Sequence, residues 1–129
     1  MQNATTKPQD TVFQFIHAMN NGDIDTALGL YEPGATLVVQ PGIFVTGALP
    51  LREALAGFLA LKPIMTTEAH QVIETGDVAL YCSSWNLVGT DPAGNPLQMG
   101  GRSSDILRRQ PDGKWLIALD NPWGTDILN

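Results

Sequence analysis

The sequence predicts an α+β fold in which helices lie against one face of an antiparallel sheet. Two observations lead to this prediction. Apolar residues recur at helical spacing through the first half of the chain, whereas four long extended segments make up most of the second half. Between those segments stand the turns TGD, DPAGNP and QPDG, each combining Gly with Asp or Asn. No repeat or low-complexity tract interrupts the sequence, and we expect residues 1–129 to form a single domain.

Three helices are expected before the long extended segments. The first runs over about residues 8–21, where Pro8 suits a first helical turn and NNG is a stop signal. Its apolar positions are Val12, Phe15, Ile16 and Met19. Asp23 is the expected N-cap of a second helix, which carries Tyr31 and ends at Pro33-Gly34.

A short hairpin is expected between the second helix and the third. Residues 37–39 and 43–45 predict its two strands, with Gln40-Pro41-Gly42 as the turn. A third helix then runs over about residues 49–61, and the extended segments follow at 65–74, 78–89, 97–109 and 114–121. Because the two middle segments are long, the sheet must curve to stay compact, and Gly100-Gly101 is the expected bulge or bend point.

The composition excludes several classes of protein. Hydrophobic residues make up 43% and charged residues 16%, which is typical of a globular domain. No apolar run approaches the roughly 20 residues that span a membrane, and the N-terminus has no apolar core of a secretory signal. Since Cys82 is the only cysteine, no internal disulfide can form, and we expect a cytoplasmic protein. The net charge of −6 argues against nucleic acid as a partner.

Three segments carry a family resemblance: NGDIDTALGLY, LYEPGAT and DGKW. They resemble the NTF2-like superfamily, particularly its SnoaL-like and DUF4440-type members, and the resemblance extends over about residues 8–124. It implies a cone-shaped, cystatin-like fold with three N-terminal helices packed on a strongly curved mixed or antiparallel sheet that encloses an apolar pocket. It also implies a homodimer formed through the outer sheet face. Because the superfamily includes ketosteroid isomerase, cyclases, hydrolases and members without catalysis, the fold does not select a function.

The resemblance to ketosteroid isomerase locates three positions to compare. That enzyme uses a carboxylate base with a Tyr and a protonated Asp as donors to the enolate oxygen. In this sequence the base falls on Gln40, which cannot accept a proton at neutral pH, and the Tyr falls near Ile16. The Asp donor alone is matched, by Asp105. We therefore expect no ketosteroid isomerase activity.

The same alignment assigns side chains to the two faces of the sheet, because alternate residues of a strand point to opposite faces. The inward set is Cys82, Ser84, Asn86, Ser103, Asp105, Leu116, Ala118 and Asp120. The outward set is Tyr81, Trp85, Leu87, Ser104, Trp115, Ile117 and Leu119, with Arg102 left open. The two indoles Trp85 and Trp115 then form an apolar patch that a second copy would cover. A register error of one residue would invert each assignment.

The inward carboxylates are the candidate catalytic residues. Asp105 and Asp120 would act as general acid or base if burial raised their pKa values; the alternative is a pairing with Arg102 or a place at a wet pocket mouth. The expected ligand-binding pocket is lined by Phe15, Met19, Tyr31, Gln40, Phe44, Phe58, His70, Ser84, Asn86, Met99, Ser103 and Trp123. Two isolated histidines and one cysteine do not have metal-ligand spacing, so we expect no metal and no cofactor.

The sequence leaves three functions open. The first is a pocket that binds a small apolar or amphipathic molecule, with no activity assigned. The second is an enzyme of the isomerase, cyclase or hydrolase type that uses Asp105 or Asp120 as its acid or base. The third is a dimerisation module without a ligand. Whether the protein is an enzyme is not decided by the residues alone.

Overall fold

The computed structural model describes residues 7–128. The described part contains three α-helices: α1 (Pro8–Asn20), α2 (Ile24–Gly29) and α3 (Ala48–Leu59). It contains six strands: β1 (Tyr31–Gln40), β2 (Ile43–Thr46), β3 (Ile64–Thr75), β4 (Val78–Thr90), β5 (Pro96–Arg109) and β6 (Trp115–Asp120). A 3-10 helix, Gly124–Leu128, follows the last strand. Between residues 7 and 128, none of the helices has the length and apolar character needed to cross a bilayer.

All six strands belong to one sheet, in the order β2-β1-β6-β5-β4-β3. Neighbouring strands run antiparallel except β1 and β6, which are parallel. The sheet is therefore mixed, and it curls around the helices: α1 contacts β3, β4 and β6, while α3 contacts β1 and β2. The predicted α+β class is confirmed.

The segment around Tyr31 differs from the prediction. Asp23 caps α2 as expected, accepting hydrogen bonds from the Thr26 backbone N–H at 3.2 Å and the Thr26 hydroxyl at 2.6 Å. The helix nevertheless ends at Gly29, and Tyr31 begins β1 opposite Ile117. Pro33-Gly34 lies inside this strand, where the register between β1 and β6 shifts. Gly34 has a positive φ of 78°, so this turn-like pair interrupts a strand and does not end a helix.

The core lies between α1 and the concave face of the sheet. Phe15 and Met19 of α1 are buried there, with Leu107 of β5 fully buried beneath them. The Thr11 hydroxyl donates to the Trp115 carbonyl at 2.6 Å, which ties α1 to β6. Trp115 is 2% exposed. The expected outer patch of Trp85 and Trp115 is therefore wrong, because the indole of Trp115 belongs to the core.

The faces of β4 are the reverse of those predicted. Tyr81 and Leu87 are buried, and Trp85 lies on the same concave face. Cys82, Ser84 and Asn86 consequently lie on the outer face. The physical reason is the alternation within β4 itself: its large apolar side chains occupy the odd positions, and burying them is favoured by hydrophobic transfer. The alignment with the superfamily was one residue out of phase here.

A bulge in β6 explains how Ile117 and Asp120 share the concave face although their numbers differ in parity. Ile106 pairs with Leu119 and Leu107 pairs with Ile117, so Ala118 is one residue in excess. Such an extra residue reverses the alternation of side chains on either side of it. The predicted inward position of Asp120 is retained, whereas the inward positions of Leu116 and Ala118 are wrong.

The pair Gly100-Gly101 is not a bulge. Gly100 pairs with Asn86 and Gly101 with Trp85 in uninterrupted register. A Cβ on Gly100 would lie 2.8 Å from the Trp85 carbonyl oxygen, so this glycine permits a close approach of two strands. The irregularity of the long strands lies instead in β3, between Thr67 and Ala69.

Candidate active site

Two carboxyl groups meet on the concave face of the sheet. Asp105 projects from β5 and Asp120 from the end of β6, and the two side chains are hydrogen-bonded to each other. The Asn121 backbone N–H donates to Asp105 Oδ1 at 2.7 Å. The Tyr31 hydroxyl donates to Asp120 Oδ2 at 2.5 Å. We call Asp105 and Asp120 the carboxyl pair.

Burial sets the protonation of the carboxyl pair. Desolvation raises the pKa of Asp105 well above its usual range, and the nearby charge of Asp120 raises it further. Desolvation also raises the pKa of Asp120, against the lowering effect of the hydrogen bonds from Tyr31 and Asp105. A hydrogen bond between two carboxyl groups needs one proton. Asp105 holds it, because the hydrogen bond from the Tyr31 hydroxyl favours the charged form of Asp120. The pair then contains one acid and one carboxylate.

Tyr31 remains a hydrogen-bond donor in this arrangement. Its hydroxyl has a pKa raised well above the usual value, first by burial and then by the charge of Asp120. The ring packs edge to face with Phe15, at 5.7 Å between centroids. Tyr31 therefore holds Asp120 Oδ2 in place from behind, with its own orientation set by the core.

The carboxyl pair faces a cavity of about 90 Å³ between α1, α3 and the sheet. Most of its wall is apolar. Trp85 and Trp123 close one part of it, in T-shaped contact at 5.6 Å between ring centroids. Their indole N–H groups donate to the Pro122 and Val39 carbonyls at 2.7 Å and 3.0 Å. Because both N–H groups are engaged by the backbone, the two indoles offer only apolar surface to the cavity.

Seven of the site residues chosen from the sequence line this cavity. They are Phe15, Met19, Phe58, Ser103, Asp105, Asp120 and Trp123. Tyr31 lies immediately behind the wall, in contact with Asp120. The core and the pocket share these residues, since the helices that bury the concave face also form the cavity wall.

Six of the chosen residues do not line the cavity. Gln40 is exposed at the end of β1, and Phe44 is 67% exposed on β2. Ser84 and Asn86 lie at a shallow depression on the outer face, because the faces of β4 are the reverse of those predicted. Met99 shares the face of its partner Leu87 but is not among the residues that line the cavity. His70 is exposed on the edge strand β3 and stacks on Tyr81 at 5.7 Å. The structure therefore places these six residues outside the lining of the cavity.

Four residues of β4 line the cavity that the sequence analysis had not selected: Tyr81, Ser83, Trp85 and Leu87. The signal that identifies them is the apolar alternation of the strand, with Ser83 as the one polar residue in phase. Within residues 7–128, no cluster of three or more His, Cys, Asp or Glu side chains is placed to hold a metal ion.

Comparisons with known proteins identify a family and several solved structures that this chain is similar to. A family model described as the SnoaL-like domain matches residues 12–117. No curated protein matches the chain significantly in sequence. Among solved structures, an NTF2-like superfamily protein from Salmonella enterica superposes with a TM-score of 0.78 at 15% identity, covering 87% of this chain and 84% of its own.

Two further structures have names that refer to chemistry. A ketosteroid isomerase-like protein from Erwinia carotovora atroseptica superposes with a TM-score of 0.77 at 22% identity, covering 88% of this chain and 89% of its own. The epoxide hydrolase/cyclase-like enzyme SalBIII, with a role in pyran ring formation in the polyether salinomycin, gives 0.71 at 17% identity, covering 88% and 86%. At these identities the likeness establishes the fold alone.

Proposed function

Because the chain belongs to the SnoaL-like domain family, we propose that it is an enzyme that moves a proton on a small, largely apolar molecule bound in the cavity. The carboxyl pair carries this proposal: two hydrogen-bonded carboxyl groups with raised pKa values line an apolar cavity. Groups with opposite protonation states at one site are the usual arrangement for general acid and base catalysis.

The roles follow from the protonation of the pair. Asp120, the carboxylate, takes a proton from a substrate carbon or hydroxyl. Asp105, the acid, delivers its proton to the substrate oxygen on which charge develops. The pair begins and ends with one proton, so isomerisation, loss of water and ring closure all balance without a further reactant. This reaction class rests on the residues of this chain and not on the names of its structural neighbours.

Exchange of hydrogen for deuterium tests the proposal without a known substrate. Nitroethane is small enough for the cavity and has an acidic C–H bond, and its exchange in D2O can be followed by proton NMR. We expect the protein to accelerate exchange, and Asp120→Asn to reduce the acceleration by about 10²–10⁴-fold, the usual contribution of a general base. Asp25→Asn is the matched control, since Asp25 is an exposed carboxylate paired with Arg52.

The proposal fails if Asp120→Asn exchanges nitroethane as fast as the unchanged protein. It also fails if the unchanged protein gives no acceleration over the same concentration of free carboxylate. Circular dichroism of both variants separates a loss of the base from a loss of the fold.

A second candidate function is ligand binding without catalysis. The observation that favours it is the cavity itself, which has a largely apolar wall with few polar groups, as ligand pockets usually do. Native mass spectrometry of the purified protein is the measurement that bears on it. An intact small molecule recovered from the protein, together with no exchange activity, would favour binding over catalysis.

A second copy of this chain is the partner that we propose for the outer face of the sheet. Support comes from an aliphatic row in which Ile73, Leu80, Ile106 and Leu119 are directly paired across four strands. Ile73 is 56% exposed in the single chain. We expect a dimer by light scattering and a monomer for Ile73→Glu, with Leu49→Glu on the exposed side of α3 as the control. A dimer that persists in Ile73→Glu would contradict this interface.

A further inference from the structure

Three hydroxyl groups line the cavity beside the carboxyl pair. Tyr81 pairs with Asp105 across β4 and β5, and Ser83 pairs with Ser103 two residues further along. The two serine oxygens are 2.6 Å apart and hydrogen-bonded to each other. Because directly paired residues share a face with their Cβ atoms about 5 Å apart, the hydroxyls of this hydroxyl cluster (Tyr81, Ser83 and Ser103) adjoin Asp105.

The Tyr81 hydroxyl has no hydrogen-bond partner. Of the buried side-chain nitrogen and oxygen atoms within residues 7–128, the Tyr81 hydroxyl oxygen is the one that lacks a hydrogen-bond partner. Tyr81 as a whole is 1% exposed. Buried polar groups are almost always hydrogen-bonded, and an unsatisfied one in a folded protein needs a reason. A ligand atom that completes the bond is such a reason.

The serine pair also has a spare donor. Each hydroxyl carries one proton, and in a pair of this kind one serine donates to the other. The accepting serine keeps its own proton for another acceptor. Either serine can be the donor, and both line the cavity, so a ligand atom in the cavity can be that acceptor.

We infer that the hydroxyl cluster binds an oxygen atom of the substrate, with Tyr81 as the donor that determines specificity. The ligand class is a small apolar molecule with one acceptor oxygen, such as a ketone, ether or epoxide. Its apolar part fits the rest of the cavity, because the indole N–H groups of Trp85 and Trp123 are already engaged. The side chains of Thr67 and Ser83 lie next to the Tyr81 oxygen without completing a hydrogen bond to it, and all three residues line the cavity.

The protonation of Tyr81 agrees with a donor role. Burial raises the pKa of the Tyr81 hydroxyl. The hydroxyl therefore remains protonated at neutral pH, and it can donate to a neutral oxygen. This inference rests on the proposed function only in placing that oxygen beside the carboxyl pair.

Two molecules of nearly equal shape test the inference. Cyclopentanone has an acceptor oxygen where methylenecyclopentane has a CH2 group, and both suit a small cavity. Their dissociation constants are measured by NMR titration on the unchanged protein and on Tyr81→Phe. We expect the preference for the ketone over the alkene to fall about tenfold in Tyr81→Phe, since only the ketone loses a hydrogen bond. Ser103→Ala should lower the same ratio by a smaller factor.

Equal ratios in the two proteins would overturn the inference, and so would the failure of both molecules to bind. The melting temperature provides an independent readout. Because the Tyr81 hydroxyl has no partner, Tyr81→Phe without ligand should melt at the same temperature as the unchanged protein or a few degrees higher. A fall of several degrees would show that the hydroxyl is satisfied within the chain, and the inference would be wrong.

The binding ratio and the nitroethane exchange fail separately. A ketone preference that depends on Tyr81, found together with no exchange, would overturn the acid/base function and retain the oxygen site. Exchange that depends on Asp120, with ratios unchanged in Tyr81→Phe, would retain the acid/base function and overturn the oxygen site.

Discussion

The contact between Tyr31 and Asp120 makes a quantitative prediction about stability. Tyr31→Phe removes the hydroxyl that donates to Asp120 Oδ2 at 2.5 Å and leaves the ring against Phe15. A hydrogen bond to a charged group contributes about 1.5–3 kcal/mol. With an unfolding entropy of about 2.1 cal/mol/K per residue over 129 residues, this corresponds to a fall in Tm of about 6–11 °C.

The destabilisation caused by Tyr31→Phe should depend on pH. Burial raises the pKa of Asp120 in the folded state, so the folded state binds the proton more tightly than the unfolded state. The free energy of unfolding therefore falls as pH rises from about 4, the unfolded pKa of Asp, through the folded pKa. Tyr31 opposes this fall because its hydrogen bond lowers the pKa of Asp120. The destabilisation by Tyr31→Phe should thus be larger at pH 8 than at pH 4.

Thermal unfolding followed by circular dichroism at several pH values measures the effect. The chain has two tyrosines, and Tyr81→Phe is the matched control, since it makes the same change at a hydroxyl without a partner. A Tm for Tyr31→Phe that equals that of Tyr81→Phe at pH 8 would refute the reasoning. A loss that is the same at pH 4 and pH 8 would show that the bond does not depend on the charge of Asp120.

Two further predictions concern packing. Leu107→Ala, at a fully buried position of β5, should lower the free energy of unfolding by about 2–5 kcal/mol. Leu49→Ala, at a residue that is 73% exposed, should change it by less than about 0.5 kcal/mol. Urea denaturation measures both changes. Gly100→Ala should destabilise the protein by about 1–3 kcal/mol, because the new Cβ would lie 2.8 Å from a backbone oxygen. Gly57→Ala on α3 should stabilise it by up to about 1 kcal/mol, because no atom lies within 4 Å of the new Cβ. Similar melting temperatures for the two glycine variants would contradict the close approach at Gly100.

The helices and turns were predictable because they depend on local interactions. The apolar positions of α1 recur at helical spacing, and Asp23 is a side chain that can accept a hydrogen bond from the start of its own helix. The extended segments between TGD, DPAGNP and QPDG became β3 to β6 within a few residues of the expected bounds. Asp105 was placed on the concave face, where burial and a neighbouring carboxyl group could raise its pKa.

In β4 the alternation of apolar residues indicates the correct buried face, whereas the alignment with the superfamily indicates the opposite face. Tyr81, Trp85 and Leu87 alternate with small or polar residues, and this pattern alone favours burial of the odd positions. The alignment with the superfamily is one residue out of phase on β4, and for this reason it predicts Ser84 and Asn86 in the pocket. It also left Ser83, a residue of the hydroxyl cluster, unselected.

The amino-acid sequence by itself determined the α+β class, the helix N-cap at Asp23, the turns and the presence of two carboxylates in the last strands. These features depend on periodicity and on side chains that act within a few residues of themselves. Tertiary structure alone decided which groups meet. The bulge at Ala118 turns Asp120 toward Asp105, and the parallel pairing of β1 with β6 brings Tyr31 to Asp120 across 89 positions of sequence. Such contacts depend on which strands are neighbours and on where a bulge falls, and neither follows from the pattern within one strand.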